Sequence, residues 1–282
     1  MKVAALQMVS GVAWEQNLAD ALRLIRDAAR QGAELVVLPE HFALLGRRDT
    51  DKLALREVWG QGPLQNALAG VARECAIWLV GGTLPIAIEG TDQQAYNTLP
   101  VWNPQGQCVA RYDKIHLFEF DNGNEQFNES VVLRHGQQPV AVTLHDRQGQ
   151  TWQMGLSVCY DLRFPELFRH YAQLGADVLV VPSAFTHTTG QAHWEVLLRA
   201  RAIENQCAVL AAAQGGVHAN GRHTWGDSLV IDAWGQVLNR LPQGEGVVMA
   251  EPWPEAVFDK FLAMRGPAKW PDGAWRSEER RV

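Results

Sequence analysis

The sequence predicts an α/β protein in which two sheets pack face to face and helices cover them from outside. Two observations lead there. Each half of the chain mixes strand–helix–strand–helix order with an antiparallel ending. In addition, the nearly all-apolar run Ala33-Glu-Leu-Val-Val-Leu-Pro39 of the first half is echoed by Ala176-Asp-Val-Leu-Val-Val-Pro182 of the second. Such runs belong to strands covered on both faces, and the echo points to pseudo-symmetric halves. With 282 residues, 47% of them hydrophobic and 20% charged, the chain can bury a full core without disulfide or metal staples.

The elements follow in order. Val3 to Met8 is a short strand, and Trp14 to Arg30 carries Leu18, Ala21, Leu22, Ile25 and Ala28 at helical spacing before a stop at Gly32. The Ala33–Glu40 strand comes next. A helical region runs from about Asp51 to Glu74, broken near Gly60-Gln-Gly-Pro63. Ala76 to Thr83 is a strand, and Ala95–Trp102 and Cys108–Ile115 form a hairpin about Asn103-Pro-Gln-Gly106. In the second half, Val140–His145 and Trp152–Cys159 are strands, Pro165–Leu174 a helix, Ala176–Pro182 a strand and Gln191–Asn205 a helix. Cys207–Ala213, Asp227–Leu241 (turning at Ala233-Trp-Gly235) and Gly246–Ala250 complete the strands. From Trp253 the pattern becomes polar and Trp/Pro-rich, which reads as a tail packed on the body or on a partner subunit.

Net charge is −6 with no basic stripe, which argues against nucleic-acid and anionic-membrane partners. No apolar stretch approaches a membrane span, and the N-terminus does not read as a signal peptide. The four cysteines, Cys75, Cys108, Cys159 and Cys207, are scattered without a C-x-x-C pair, so neither a disulfide framework nor a zinc ribbon is expected, and a reducing, cytoplasmic setting fits.

Three residues could carry chemistry. Cys159 ends an apolar strand, and Pro165, well suited to a first helical turn, opens a helix shortly afterwards. That strand-to-helix corner would lift a nucleophile above a sheet edge with backbone N–H groups facing an oxyanion, and the nearby helix N-terminus would favour a thiolate. The alternative is a buried structural cysteine. Glu40 ends a strand, where ligands commonly meet α/β sheets, or it caps the next segment. Lys114, between strand and aromatics, could hold an oxyanion or be a surface lysine. His193 and Glu195 are two apart on a helix and share no face, so a metal pair there is not expected. Arg199, Arg201 and Glu204 read as structural ion pairs.

Together, Leu38-Pro-Glu40, Tyr112-Asp-Lys-Ile-His116 and Val158-Cys-Tyr-Asp-Leu-Arg-Phe-Pro-Glu166 resemble the three signature segments of the nitrilase superfamily of carbon–nitrogen hydrolases. The similarity covers about residues 1–252, leaving 253–282 as the tail. It includes Tyr96-Asn-Thr98, Arg199–Asn205 and Gly226-Asp-Ser228. Pro182-Ser-Ala-Phe185 with Thr189–Arg199 is most similar to the amidase branch that contains deaminated glutathione amidases and ω-amidases.

The resemblance implies a four-layer αββα sandwich with Cys159 as nucleophile, Glu40 as general base and Lys114 as oxyanion stabiliser. It also implies a second glutamate, for which Glu129 fits best and Glu125 competes. It implies a thioester intermediate, release of ammonia from a small carboxylate-bearing amide (deaminated glutathione foremost), no metal or organic cofactor, and a homodimer or larger assembly. Relatives acting as ω-amidases, N-carbamoyl hydrolases or nitrilases, or as silent binding modules, are the alternatives. Within this frame the Tyr160 N–H would help to bind the oxyanion. His187 and Thr188, in the stretch Thr186–Gly190, would donate to the substrate carboxylate, with Arg163 as a cation for it or as a structural residue. The assembly would use the apolar content of the Pro165–Leu174 and Gln191–Asn205 helices: Leu167, Phe168, Tyr171, Trp194 and Leu197.

Overall fold

In a computed structural model, residues 1–121, 123 and 126–253 are described. Two sheets dominate. The first runs Gly246–Ala250, Val3–Gln7, Leu35–Val37, Trp78–Val80, Thr91–Trp102, Leu84–Ile88, with Cys108–Asp113 and Leu133–Arg134 also paired to Thr91–Trp102. The second runs Ala141–His145, Thr151–Leu156, Val178–Val180, Ala208–Ala211, Ser228–Ile231, Val237–Leu241. At the heart of each lie three parallel strands, flanked on both sides by antiparallel ones. Leu35–Val37 and Val178–Val180 are the middle members of those trios, so the sequence echo corresponds to a repeat of topology.

Burial alternates with the pleat in the first sheet. Val3, Ala5, Leu35 and Val37 join the layer between the sheets, while Ala4, Leu6, Val36 and Leu38 face the outer helices α1 (Trp14–Arg30) and α2 (Pro63–Cys75). Helices α3 (Pro165–Gln173) and α4 (His187–Asn205) cover the second sheet through Phe168, Tyr171, Trp194 and Leu198. This is the four-layer αββα sandwich, and it explains why both parallel trios are almost purely apolar.

Three expectations need correction. Helix α4 begins at His187, not at Gln191: the Thr186 side chain caps it by accepting from the Thr189 N–H, and Gly190 lets it approach the Trp225 side chain, where a Cβ would meet Trp225 Cβ at 2.2 Å. Three hairpin strands add to those expected: Leu84–Ile88, and the pair Gly215–Val217 with His223–Trp225. Asn220-Gly221, a strong hairpin signal, announced the pair. Finally, Leu167, Phe168, Tyr171 and Trp194 are buried inside the chain and present no surface to a partner. Exposed apolar groups on or beside these helices are instead Leu174, Val196 and Ile203. No helix among the described residues is long and apolar enough to cross a membrane. The tail lies outside the described residues from 254 onward; Trp253 stacks edge-on against Trp152 at 4.8 Å.

Candidate active site

Three strand ends meet at one end of the sandwich. Glu40 follows Leu35–Val37, Lys114 follows Cys108–Asp113, and Cys159 follows Thr151–Leu156 of the other sheet. All three are buried, with exposures of 1%, 1% and 8%. All but Lys114 line a common cavity of about 430 Å³, together with His41, Phe118, Glu129, Thr186 and the hairpin residues Asn220–Thr224.

The first sheet builds a charged network. Lys114 Nζ donates to Glu40 Oε1 at 2.9 Å and to Glu129 Oε2 and Oε1 at 2.8 and 3.0 Å. Glu40 Oε1 also accepts from Asn97 Nδ2 at 2.9 Å, and Oε2 accepts from the Ala184 N–H at 3.0 Å. Glu129 Oε2 accepts from the Phe118 N–H at 2.8 Å. Glu125 lies outside the described residues; Glu129 stands on the ammonium.

Backbone contacts fix these positions. The Lys114 N–H donates to Asn97 at 3.0 Å, and Gln214 Nε2 donates to the Glu40 carbonyl at 3.1 Å. Gly82, at φ +58°, lies where a Cβ would stand 2.2 Å from the Pro39 carbonyl oxygen, so only glycine lets the two strand ends approach this closely.

Burial alone would keep Glu40 protonated, but the Lys114 ammonium outweighs it and holds Glu40 below the usual carboxylate range. Glu129 is also held well below the usual range: burial is again overcome by Lys114. Lys114 loses some basicity to burial and regains more from Glu129 and Glu40, so its proton is held well above the usual lysine range. His41 lies 3.8 Å from Glu40 Oε1, and burial together with Lys52 lowers its basicity, so it is neutral near pH 7 and Lys114 is the cation that matters. The ligand atoms of Glu40, His41 and Glu129 fall within 4.8 Å of one another, a metal-like cluster whose cation is the Lys114 ammonium.

The second sheet supplies the elbow. Cys159 has φ +51°, a left-handed conformation that non-glycine residues avoid, and its N–H donates to the Pro182 carbonyl at 2.9 Å. Asp161, fully buried, holds the turn: it accepts from the Val158 N–H at 2.8 Å, Tyr112 Oη at 2.7 Å and the His116 N–H at 3.0 Å, and its Oδ1 meets His116 Nδ1 at 2.7 Å. The lysine segment and the cysteine segment are therefore bolted together through one carboxylate. Arg201 adds a brace from α4, donating to the Leu162 carbonyl and pairing with Glu204. Tyr160 directly follows the cysteine in the Cys159–Arg163 turn.

The thiolate expectation is corrected here. A 3₁₀ turn, Cys159–Arg163, separates the sulfur from the N-terminus of α3 at Pro165. Burial and the Glu40 carboxylate push the Cys159 thiol well above the ordinary range. The Cys159 side chain is therefore favoured as a thiol, not a thiolate. Alkylation of Cys159 by iodoacetamide, followed by mass spectrometry, should keep accelerating with pH beyond the ordinary thiol range of about 8.5. A plateau below that range would mean a resting thiolate.

The carboxylate-binding expectation also changes. Thr186 lines the cavity, but His187 and Thr188 do not: they form the first turn of α4, where Thr188 is exposed and His187 stacks on His223 at 4.1 Å. Arg163 borders a smaller recess beside Cys159 with Tyr160, Phe185 and Thr186. Its guanidinium lies over the Tyr160 and Phe185 rings and contacts His193 Nδ1 at 3.2 Å. The residues not foreseen are His41, the Ala184 N–H, Lys52 and the Asn220–Thr224 hairpin. The first is adjacent to Glu40, but the others reach the cavity only through long-range folding.

Comparison with known proteins agrees with this geometry. The sequence profile of the carbon–nitrogen hydrolase family matches residues 2–254. The deaminated glutathione amidase of Synechocystis sp. is 44% identical over 250 residues, covering 88% of this chain and 90% of that protein. The omega-amidase NIT2 of Pongo abelii is 37% identical over 252 residues, covering 89% and 87%. The crystal structure of the C. elegans NitFhit protein superposes with a TM-score of 0.83 at 34% identity; the match covers all of this chain and 66% of that longer one. With its Glu, Lys and Cys segments at three converging strand ends, this chain belongs to the carbon–nitrogen hydrolase family.

Proposed function

We propose that the protein is a cysteine amidase that cleaves a small carboxylate-bearing amide through a thioester, with deaminated glutathione, named for several relatives, as the foremost substrate. The observation that carries the reading is the Lys114 ammonium shared by Glu40 and Glu129 beside the cavity that holds Cys159.

In this mechanism the amide carbonyl points its oxygen at Lys114 and the Tyr160 N–H. An ammonium has three N–H donors. One is used by Glu40 and one is shared between the two Glu129 oxygens, which leaves the third for the developing oxyanion. Glu40 Oε2 keeps a lone pair beyond its bond from Ala184 and takes the thiol proton as sulfur attacks. The tetrahedral intermediate collapses by breaking the C–N bond, and Glu40 gives that proton to the departing nitrogen. The acyl group remains on Cys159 as a thioester. Glu40 then removes a proton from water, hydroxide adds to the thioester, and the acid leaves as the proton returns to sulfur. Glu129 touches no reacting atom in this scheme; it positions and charges Lys114.

The test is release of ammonia or amine over a panel of deaminated glutathione, dicarboxylic monoamides, N-carbamoyl amino acids and nitriles. Fastest turnover of a carboxylate-bearing amide is expected, and preference for a nitrile or an N-carbamoyl acid would replace this reading.

We also propose a cytoplasmic, homo-oligomeric enzyme, the contact now resting on exposed Leu174, Val196 and Ile203. Light scattering at micromolar concentration should give at least a dimer; a monomer would refute the assembly.

A further inference from the structure

The amidase reading demands a place for the substrate's carboxylate, and the cavity is not neutral ground for one. Its catalytic end holds two carboxylates, Glu40 and Glu129, around a single ammonium that both already bind. A substrate anion therefore needs a cation other than Lys114. Two further cations line the same cavity, Lys52 and Arg222. Arg222 is neutralised locally by an ion pair with Asp49. Lys52 is in no such ion pair: among the described residues no carboxylate or carbonyl bonds to its ammonium, although Glu129, Asp49 and Glu40 lie near enough to favour its charge. It is half-buried, on a 3₁₀ segment Asp49–Leu55, and it also borders a narrow cleft beside Leu44, Leu55 and Leu133. A partly buried ammonium with no hydrogen-bonded anion of its own gains when one arrives.

We propose that Lys52 is the specificity-determining cation of this site, receiving the free carboxylate of the amide substrate within the cavity it shares with Cys159. Burial lowers its basicity, and a bound carboxylate would restore it, so substrate binding and full charge on Lys52 reinforce each other. This assignment replaces His187, Thr188 and Arg163 as the carboxylate partners.

The test compares glutaramate, which carries a carboxylate, with its neutral counterpart glutaramide, in wild type and Lys52→Met. Methionine keeps the stem and removes the charge; Lys52→Gln serves if that variant does not fold. Loss of one charge-assisted hydrogen bond should lower kcat/KM for glutaramate by roughly 10- to 100-fold, mainly through KM. Turnover of glutaramide should be unchanged, and Lys52→Arg should recover much of the loss. Equal losses on both substrates would make Lys52 a structural residue, and no loss on either would remove it from recognition; both outcomes overturn the proposal. If wild type does not prefer glutaramate, the carboxylate-bearing substrate itself is wrong. Glutarate binding followed by calorimetry then decides separately: Lys52-dependent binding upholds the cation site, and binding that survives Lys52→Met, or is absent from wild type, overturns it.

Discussion

Cys159→Ala is expected to fold normally and to lose turnover by about 10⁶-fold, the scale seen when a nucleophile acting in a unit is removed. Folding should survive because alanine keeps the Cβ, and the left-handed backbone at φ +51° is imposed by the surroundings, not by the sulfur. The Cys159 N–H bond to Pro182 and the four contacts of Asp161 do not involve the side chain at 159. With the wild-type protein and a slowly hydrolysed substrate, intact-mass spectrometry should find one acyl group, on Cys159. Cys207 is fully buried beneath the second sheet, and Cys75 and Cys108 lie away from the cavity. An adduct on any of those three, or normal activity in Cys159→Ala, would end the assignment. Because the resting sulfur is a thiol, the acylation rate should depend on Glu40, not on pH near the ordinary thiol range.

Much of this was legible in the sequence because the strongest signals are local. The apolar runs at Ala33–Pro39 and Ala176–Pro182 record burial on both faces, and burial on both faces requires the outer helices. The elbow was readable because a strand, a polar turn and Pro165 stand next to one another in the chain. What was not legible depends on partners far apart in sequence. Whether Cys159 rests as a thiolate is decided by burial and by Glu40, which lies in the other sheet. A nearby helix start suggests the opposite, and the 3₁₀ turn that displaces it leaves no clear mark on the sequence. Similarly, Thr186-His-Thr-Thr-Gly190 has the threonine and glycine content of a loop, yet here Thr186 serves as a cap and Gly190 as a contact point. The apolar residues of α3 and α4 were expected to face a partner, but the second sheet needed them for its own cover. Lys52 carries no local signal at all: only the folded cavity sets it apart from other lysines.

The Glu40–Lys114–Glu129 network should show the second large effect, in stability as well as rate. Among the described residues, Lys114→Met removes the only ammonium bonded to both Glu40 and Glu129. Breaking a buried pair by taking one partner costs about 3–5 kcal/mol, because the remaining charge is left uncompensated. Here two charges are stranded, so a marked fall in melting temperature is expected, with Glu40 and Glu129 both moving up in pKa. Loss of the oxyanion donor adds roughly 10²–10³ in kcat. The two effects separate in the double variant Lys114→Met with Glu129→Gln. Neutralising one stranded carboxylate should recover part of the stability and none of the activity. Glu40→Gln differs again. It keeps the shape and leaves Lys114 paired with Glu129, so it should remain folded. It has no base for the thiol, the leaving nitrogen or water, and general acid–base work is worth about 10²–10⁴ for each step it serves. Both acylation and thioester hydrolysis should slow, so burst kinetics would show neither step rescued. A near-normal kcat in Glu40→Gln would remove the base role. A Lys114→Met protein that melts like wild type would mean that the buried charges are compensated by groups other than this ammonium.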